Sequence, residues 1–96
     1  MKFTRREQQD LTDLIILEML EKYETVHWTN LQKKVLGSHV FATESKFRGR
    51  MHYLLNKNFV TKIQKGIYKI TQAGTKYLET LRLAYNDKKK QLFFNS

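Results

Sequence analysis

The chain has 96 residues, a net charge of +9, no cysteine, no proline and an ordinary 41% of hydrophobic residues. That length suits one domain on a modest core, and the missing cysteines exclude a disulfide framework and thiolate metal sites and fit a reducing, cytoplasmic setting. The longest aliphatic run, Leu14-Ile15-Ile16-Leu17, is far too short to cross a bilayer, and Arg5-Arg6 is followed by Glu7-Gln8-Gln9-Asp10 rather than by the apolar stretch of an export signal.

Residues 1–9 are polar and basic and read as a mobile N-terminal arm. A first helix is predicted from Asp10 to Tyr23, with Leu11, Leu14, Ile15, Leu17, Met19, Leu20 and Tyr23 spread over more surface than one core stripe needs. Either this helix is nearly enclosed or it also packs on a second subunit. Val26-His27-Trp28 reads as a short strand. Thr29 is the expected N-cap of a short helix over Asn30–Leu36, and Gly37 is expected to end it in the left-handed conformation.

Ser38–Ala42 reads as a turn with Val40 and Phe41 facing inward. Thr43 then caps a third helix reaching Asn56, whose buried face is Phe47, Met51, Leu54 and Leu55. Phe59–Ile63 and Ile67–Ile70 are strand-like, and Gln64-Lys65-Gly66 between them is a hairpin signal. Thr71 caps a last helix to about Lys90, with Tyr77, Leu78, Leu81, Ala84 and Tyr85 on its apolar face. The predicted fold is thus mainly α with a small β-hairpin, an α+β domain over residues 10–90, followed by a tail over 91–96.

Charge is unevenly spread along this order. Residues 1–30 carry a balance of −2 and residues 31–96 one of +11, which points the second part at a polyanion. The second and third helices, joined by a tight turn, form a helix-turn-helix unit, in which the later helix enters the major groove of DNA. At about 100° per residue its outward face holds Ser45, Lys46, Gly49, His52, Tyr53 and Asn56, flanked by Arg48 and Arg50. Arginine can make paired bonds to guanine, and lysine, serine and asparagine reach base edges or phosphates. Glycine inside a helix costs about 1 kcal/mol, so Gly49 implies close approach to another surface, either DNA or a neighbouring element. The hairpin adds Lys62, Lys65 and Lys69, suited to reaching an adjacent groove or backbone, and equally to guarding an edge strand.

Phe59-Val60-Thr61-Lys62-Ile63, followed by Gly66-Ile67-Tyr68-Lys69-Ile70-Thr71-Gln72-Ala73-Gly74, resembles the wing of winged-helix regulators of the MarR and PadR type. Small winged-helix proteins of archaea and their viruses share this ending. The resemblance implies a winged helix-turn-helix repressor that binds double-stranded DNA as a homodimer, with Lys46, Arg48, Arg50 and Tyr53 on the reading helix and Lys65 at the wing tip. No cofactor and no small-molecule ligand is expected.

A homodimer is also suggested by the helices themselves. Leu78, Leu81, Tyr85 and Leu92 recur at spacings of 3, 4 and 7, close to a heptad seam, with Lys88 interrupting it. Leu14, Leu17, Leu78, Leu81 and Tyr85 are therefore the expected interface; the alternative is that this face packs back on its own subunit.

His27, His39 and His52 lie 12 and 13 residues apart and do not share a helical face, so no metal site is expected. No phosphate loop, acidic cluster or activated nucleophile supports catalysis. Trp28 and the tyrosines could stack on single-stranded bases, but most fall where core packing accounts for them. Two alternatives to a sequence-specific regulator remain: a protein-interaction module, against which the basic excess argues, and an architectural DNA binder without sequence preference.

Overall fold

The structure, a computed structural model, describes residues 3–38 and 42–94, with side chains as far as Asn86. The elements are α1 (Arg5–Tyr23), β1 (Thr25–His27), α2 (Trp28–Leu36), α3 (Glu44–Asn56), β2 (Val60–Gln64), β3 (Ile67–Ile70) and α4 (Gln72–Phe94). This is the α+β architecture and element order read from the sequence. The expected inward placement of Val40 and Phe41, and the spacing that relied on Leu92, lie outside the described residues and side chains.

α1 is the centre of the molecule. All seven residues from Leu11 to Leu17 are buried, and the helix packs against α2, α3, α4, β1 and β3. The broad apolar surface is thus largely covered within one chain, Tyr23 at its end staying exposed. The helix also starts at Arg5 rather than Asp10, so residues 5–9 are helical and not a mobile arm. The reason is a capping box: Thr4 Oγ1 accepts the Glu7 amide at 3.1 Å, and Glu7 Oε1 accepts the Thr4 amide at 2.9 Å.

β1, β3 and β2 form an antiparallel sheet in that spatial order, with Val26 opposite Tyr68 and Val60 opposite Ile70. β1 stops at His27, one residue early, because His27 rather than Thr29 caps α2: its Nδ1 accepts the Thr29 amide at 3.1 Å. Trp28 becomes the first helical residue and wedges between Phe47 and Tyr68, with ring centroids 5.0 and 5.8 Å away. β2 extends through Gln64, leaving Lys65-Gly66 as a two-residue turn with a bulge at Ile63.

Gly37 does not take the left-handed conformation; its φ is −86°. The Ser38 amide and hydroxyl both donate to the Val35 carbonyl, so the last turn closes without a left-handed residue. A left-handed residue closes α3 instead, where Asn58 has φ 63°. There the Phe59 amide reaches Leu54 O at 2.9 Å and the Asn58 amide reaches Leu55 O at 3.1 Å, a Schellman closure with asparagine in glycine's place. It turns the chain straight into β2. Gly74 then lets the first turn of α4 press on this corner, since a Cβ there would collide with the Phe59 carbonyl.

The core is one cluster. Leu11, Leu14, Ile16, Leu17 and Leu20 of α1 meet Leu31 and Val35 of α2, Phe47, Met51 and Leu54 of α3, Val26, Val60 and Tyr68 of the sheet, and Leu78 and Leu81 of α4. Leu55, expected in the buried face of α3, is only half-buried.

Candidate nucleic-acid interface

Thr43 caps α3 as expected, its hydroxyl accepting the Lys46 amide at 3.1 Å, with Glu44 in the first turn beside the helix dipole. With Phe47, Met51 and Leu54 fully buried, the opposite side of α3 faces solvent. Ser45, Lys46, Arg48, Gly49, His52 and Asn56 are all exposed there. Arg48 extends to Glu44 one turn back at 3.0 Å, a surface pair of the kind worth at most about 1 kcal/mol.

Gly49 has no neighbour within 4 Å of where a Cβ would stand. Packing inside the domain therefore does not explain it, and the helix carries the cost of an interior glycine with nothing of its own pressed against it. Gly49 lies on a groove between α3 and the first turns of α1, lined also by Arg5, Gln8, Gln9, Thr12, Ser45, Lys46 and Arg50. Lys46 Nζ reaches across it to Gln8 Oε1 at 3.3 Å. Arg5, Gln8 and Gln9 were missed in the sequence because the arm was read as unstructured; the Thr4 and Glu7 spacing of the capping box was the signal that could have found them.

Arg50 lines the same groove, but its guanidinium is turned inward. Its Nε and Nη2 donate to the two oxygens of Asp13 at 2.8 and 2.7 Å, and its guanidinium lies 4.2 Å from the ring centroid of Tyr53. The Asp13 side chain is wholly buried, whereas the Arg50 side chain keeps 15% exposure. Tyr77 of α4 donates a third bond to Asp13 Oδ2 at 2.9 Å. Burial pushes the Asp13 carboxyl up, against the downward pull of Arg50 and the tyrosine hydroxyl, and the bond to Asp13 holds the Arg50 proton more tightly still. Breaking such a pair by removing one partner leaves an uncompensated buried charge, so Arg50 is not free to swing out to a base. Tyr53 is likewise half-buried beneath it rather than fully outward.

The three hairpin lysines do not form one patch. Lys62 pairs with Tyr68 in register and shares its face of the sheet, whereas Lys69 is the next residue along β3 and points to the opposite face. Lys65 stands at the turn, exposed.

The interface expected between two copies is largely occupied within one. Leu14, Leu17, Leu78 and Leu81 are buried in the single-chain core, at 4% exposure or less. Tyr85 is half-buried and donates its hydroxyl to Asp10. They face inward because α4 lies on α1, further tied by Arg82 to Glu18 and Glu21 at 3.2 and 2.8 Å. Among the described residues, the exposed leucine of α4 is Leu83.

Of the three histidines, His27 is the cap of α2, His52 is exposed on α3, and His39 lies outside the described residues. Among the described residues no three His, Cys, Asp or Glu side chains converge on a possible metal position, and no helix is long and apolar enough to cross a membrane. Compared with known proteins, the chain matches no family model, no curated protein and no solved structure.

Proposed function

We propose that this chain is a winged helix-turn-helix protein that binds double-stranded DNA and regulates transcription, with α3 as the reading helix and the β2–β3 hairpin as the wing. One observation carries the reading: the solvent face of α3 is cationic and polar, and at Gly49 it is stripped to the backbone, with no neighbouring atom within 4 Å of where a Cβ would stand. A groove wall or phosphate can come within contact distance of a bare helix backbone in a way that any side chain would obstruct. Arg48, Lys46, Ser45, His52 and Asn56 surround that spot with donors suited to base edges and phosphates. Lys65, exposed at the hairpin turn, supplies a contact to the DNA backbone.

The proposed assembly is a homodimer, which places two reading helices in successive major grooves about 34 Å apart. Its contact surface is the outer side of α4 at Leu83, which is 88% exposed beside a shallow groove lined by Glu18, Glu79, Arg82 and Asn86.

The test is duplex affinity as a function of salt. Each phosphate neutralised by a lysine or arginine contributes about −0.9 to the log–log slope. A dimer should show about −4 or steeper. A slope near zero removes the DNA reading. Equal affinity for a selected site and for random duplex removes its sequence-specific form.

A further inference from the structure

We infer that Asp13, Arg50 and Tyr77 form a clamp that sets the orientation of α3, so that Arg50 governs base choice as a positioning residue without touching DNA. The inference rests on the DNA reading and changes the part Arg50 plays in it.

The geometry is that of a locked joint. Arg50 sits next to Gly49, about 100° around the helix from the open face. Its planar fork meets both oxygens of a carboxylate on α1, and the second of those oxygens also accepts from a hydroxyl on α4. Three helices therefore converge on one side chain. The apolar contacts of Phe47, Met51 and Leu54 hold α3 against the core but are non-directional and permit it to slide or roll. A two-bonded fork on a buried carboxylate does not, because rotating α3 breaks both bonds at once and strands a charge. The stack of the guanidinium on Tyr53, one turn further along α3, fixes the arginine from its own helix. A buried ionic cluster contributes little net stability compared with apolar residues of the same size. Uniqueness of arrangement is what it adds, and a helix that must align with base edges needs that.

The experiment replaces the cluster with apolar side chains: Asp13→Leu, Arg50→Met and Tyr77→Phe together, which leaves no orphaned charge or hydroxyl. Three quantities are read: the orientation of α3 relative to α1 from amide residual dipolar couplings without DNA, the affinity ratio between a selected and a random duplex, and the salt slope. The expected result is a folded protein whose α3 is reoriented or no longer held in one orientation. Its discrimination falls about tenfold or more, the loss of one well-aligned base contact. Its salt slope matches the unmodified protein. Arg50→Lys, which keeps the charge but loses the fork, serves if the triple variant does not fold, and should lose discrimination in the same way. A slope shallower by about 0.9 per subunit overturns the inference, since Arg50 would then be neutralising a phosphate. Unchanged α3 orientation overturns it whether or not DNA is bound. An unmodified protein that binds no duplex removes the role in base choice along with the DNA reading, and the clamp then stands or falls on the dipolar couplings alone.

Discussion

Gly66, in the turn of the hairpin, lies so close to His27 that a Cβ added to it would stand 2.9 Å from the imidazole Nε2. Gly66 has φ 78°, its carbonyl accepts the Trp28 amide at 2.8 Å, and the other imidazole nitrogen caps α2. The hairpin turn and the start of α2 are thus one packed unit. Gly66→Ala should destabilise by about 1–2 kcal/mol, from the left-handed backbone and the collision together. His27→Ala should cost about 1 kcal/mol as a lost cap. Urea unfolding of both variants and of the double should show less than the sum, because the collision disappears with the imidazole. Strict additivity would mean the two groups do not press on one another.

Gly49→Ala separates stability from binding. With open space where the Cβ would stand, alanine should raise stability by about 1 kcal/mol through helix propensity alone. The same methyl should weaken duplex binding, since it intrudes on the proposed contact. Calorimetry and a binding titration on one preparation check both. Higher stability with unchanged affinity would mean nothing approaches the helix at this point.

Glu44→Gln and Lys65→Ala should move DNA binding in opposite directions. The first releases Arg48 from its 3.0 Å partner and removes a carboxylate from the open face, so affinity should rise while the weak surface pair is hardly missed in stability. The second should weaken all duplexes about equally and make the salt slope shallower by about 0.9 per subunit. Arg48→Ala should instead relax preference at one base position, costing about 1–3 kcal/mol where the contact is bidentate.

Alkaline pH should loosen α4. Burial first, and then the hydrogen bond to Asp10, push the Tyr85 hydroxyl from 10.0 up to about 12, and burial beside Asp13 raises Tyr77 as well. Below 10 both hydroxyls keep their protons in the folded and unfolded chain alike. Above 10 the unfolded tyrosines ionise while the folded ones still hold their protons, so stability falls as pH rises, and the Tyr85 contribution is gone above about 12. Denaturant midpoints measured from pH 8 to 11 should decline, and less so in Tyr85→Phe. A variant with the same decline as the unmodified protein would show that the Asp10 contact is not maintained in solution.

The helices and hairpin were legible because their signals are local. The spacing of Phe47, Met51 and Leu54 and the cap at Thr43 need only neighbours in sequence. Arg50 and Asp13 are 37 residues apart, and no periodicity shows which of several exposed-looking arginines will be drawn inward by a carboxylate placed in the middle of an apolar helix. Asp13 is the anomaly: an acidic residue between Leu11-Thr12 and Leu14-Ile15, in a helical segment buried from Leu11 to Leu17, must find a cation. The leucines of α1 and α4, expected at an interface, are covered by their own chain. Spacing gives the face of a helix that is buried, but not whether its own chain or another covers it.

That distinction decides how a dimer should be tested. Leu81→Glu looks like an interface variant from the sequence, yet Leu81 is 4% exposed within one chain. A glutamate there would bury an unpaired charge and cost about 3 kcal/mol or more, unfolding the subunit whether or not it has a partner. Loss of a dimer in that variant would carry no information. Leu83→Glu is the informative change. At 88% exposure it should alter subunit stability by less than about 0.5 kcal/mol while placing like charges across the proposed contact. Light scattering at micromolar concentration should give two chains for the unmodified protein and one for Leu83→Glu, with circular dichroism unchanged. Duplex affinity for a palindromic site should drop with dimer loss, while affinity for a half-site should not, since α3 and the hairpin are untouched. A mass of one chain for the unmodified protein at every concentration would remove the dimer, and a dimer that survives Leu83→Glu would place its contact elsewhere.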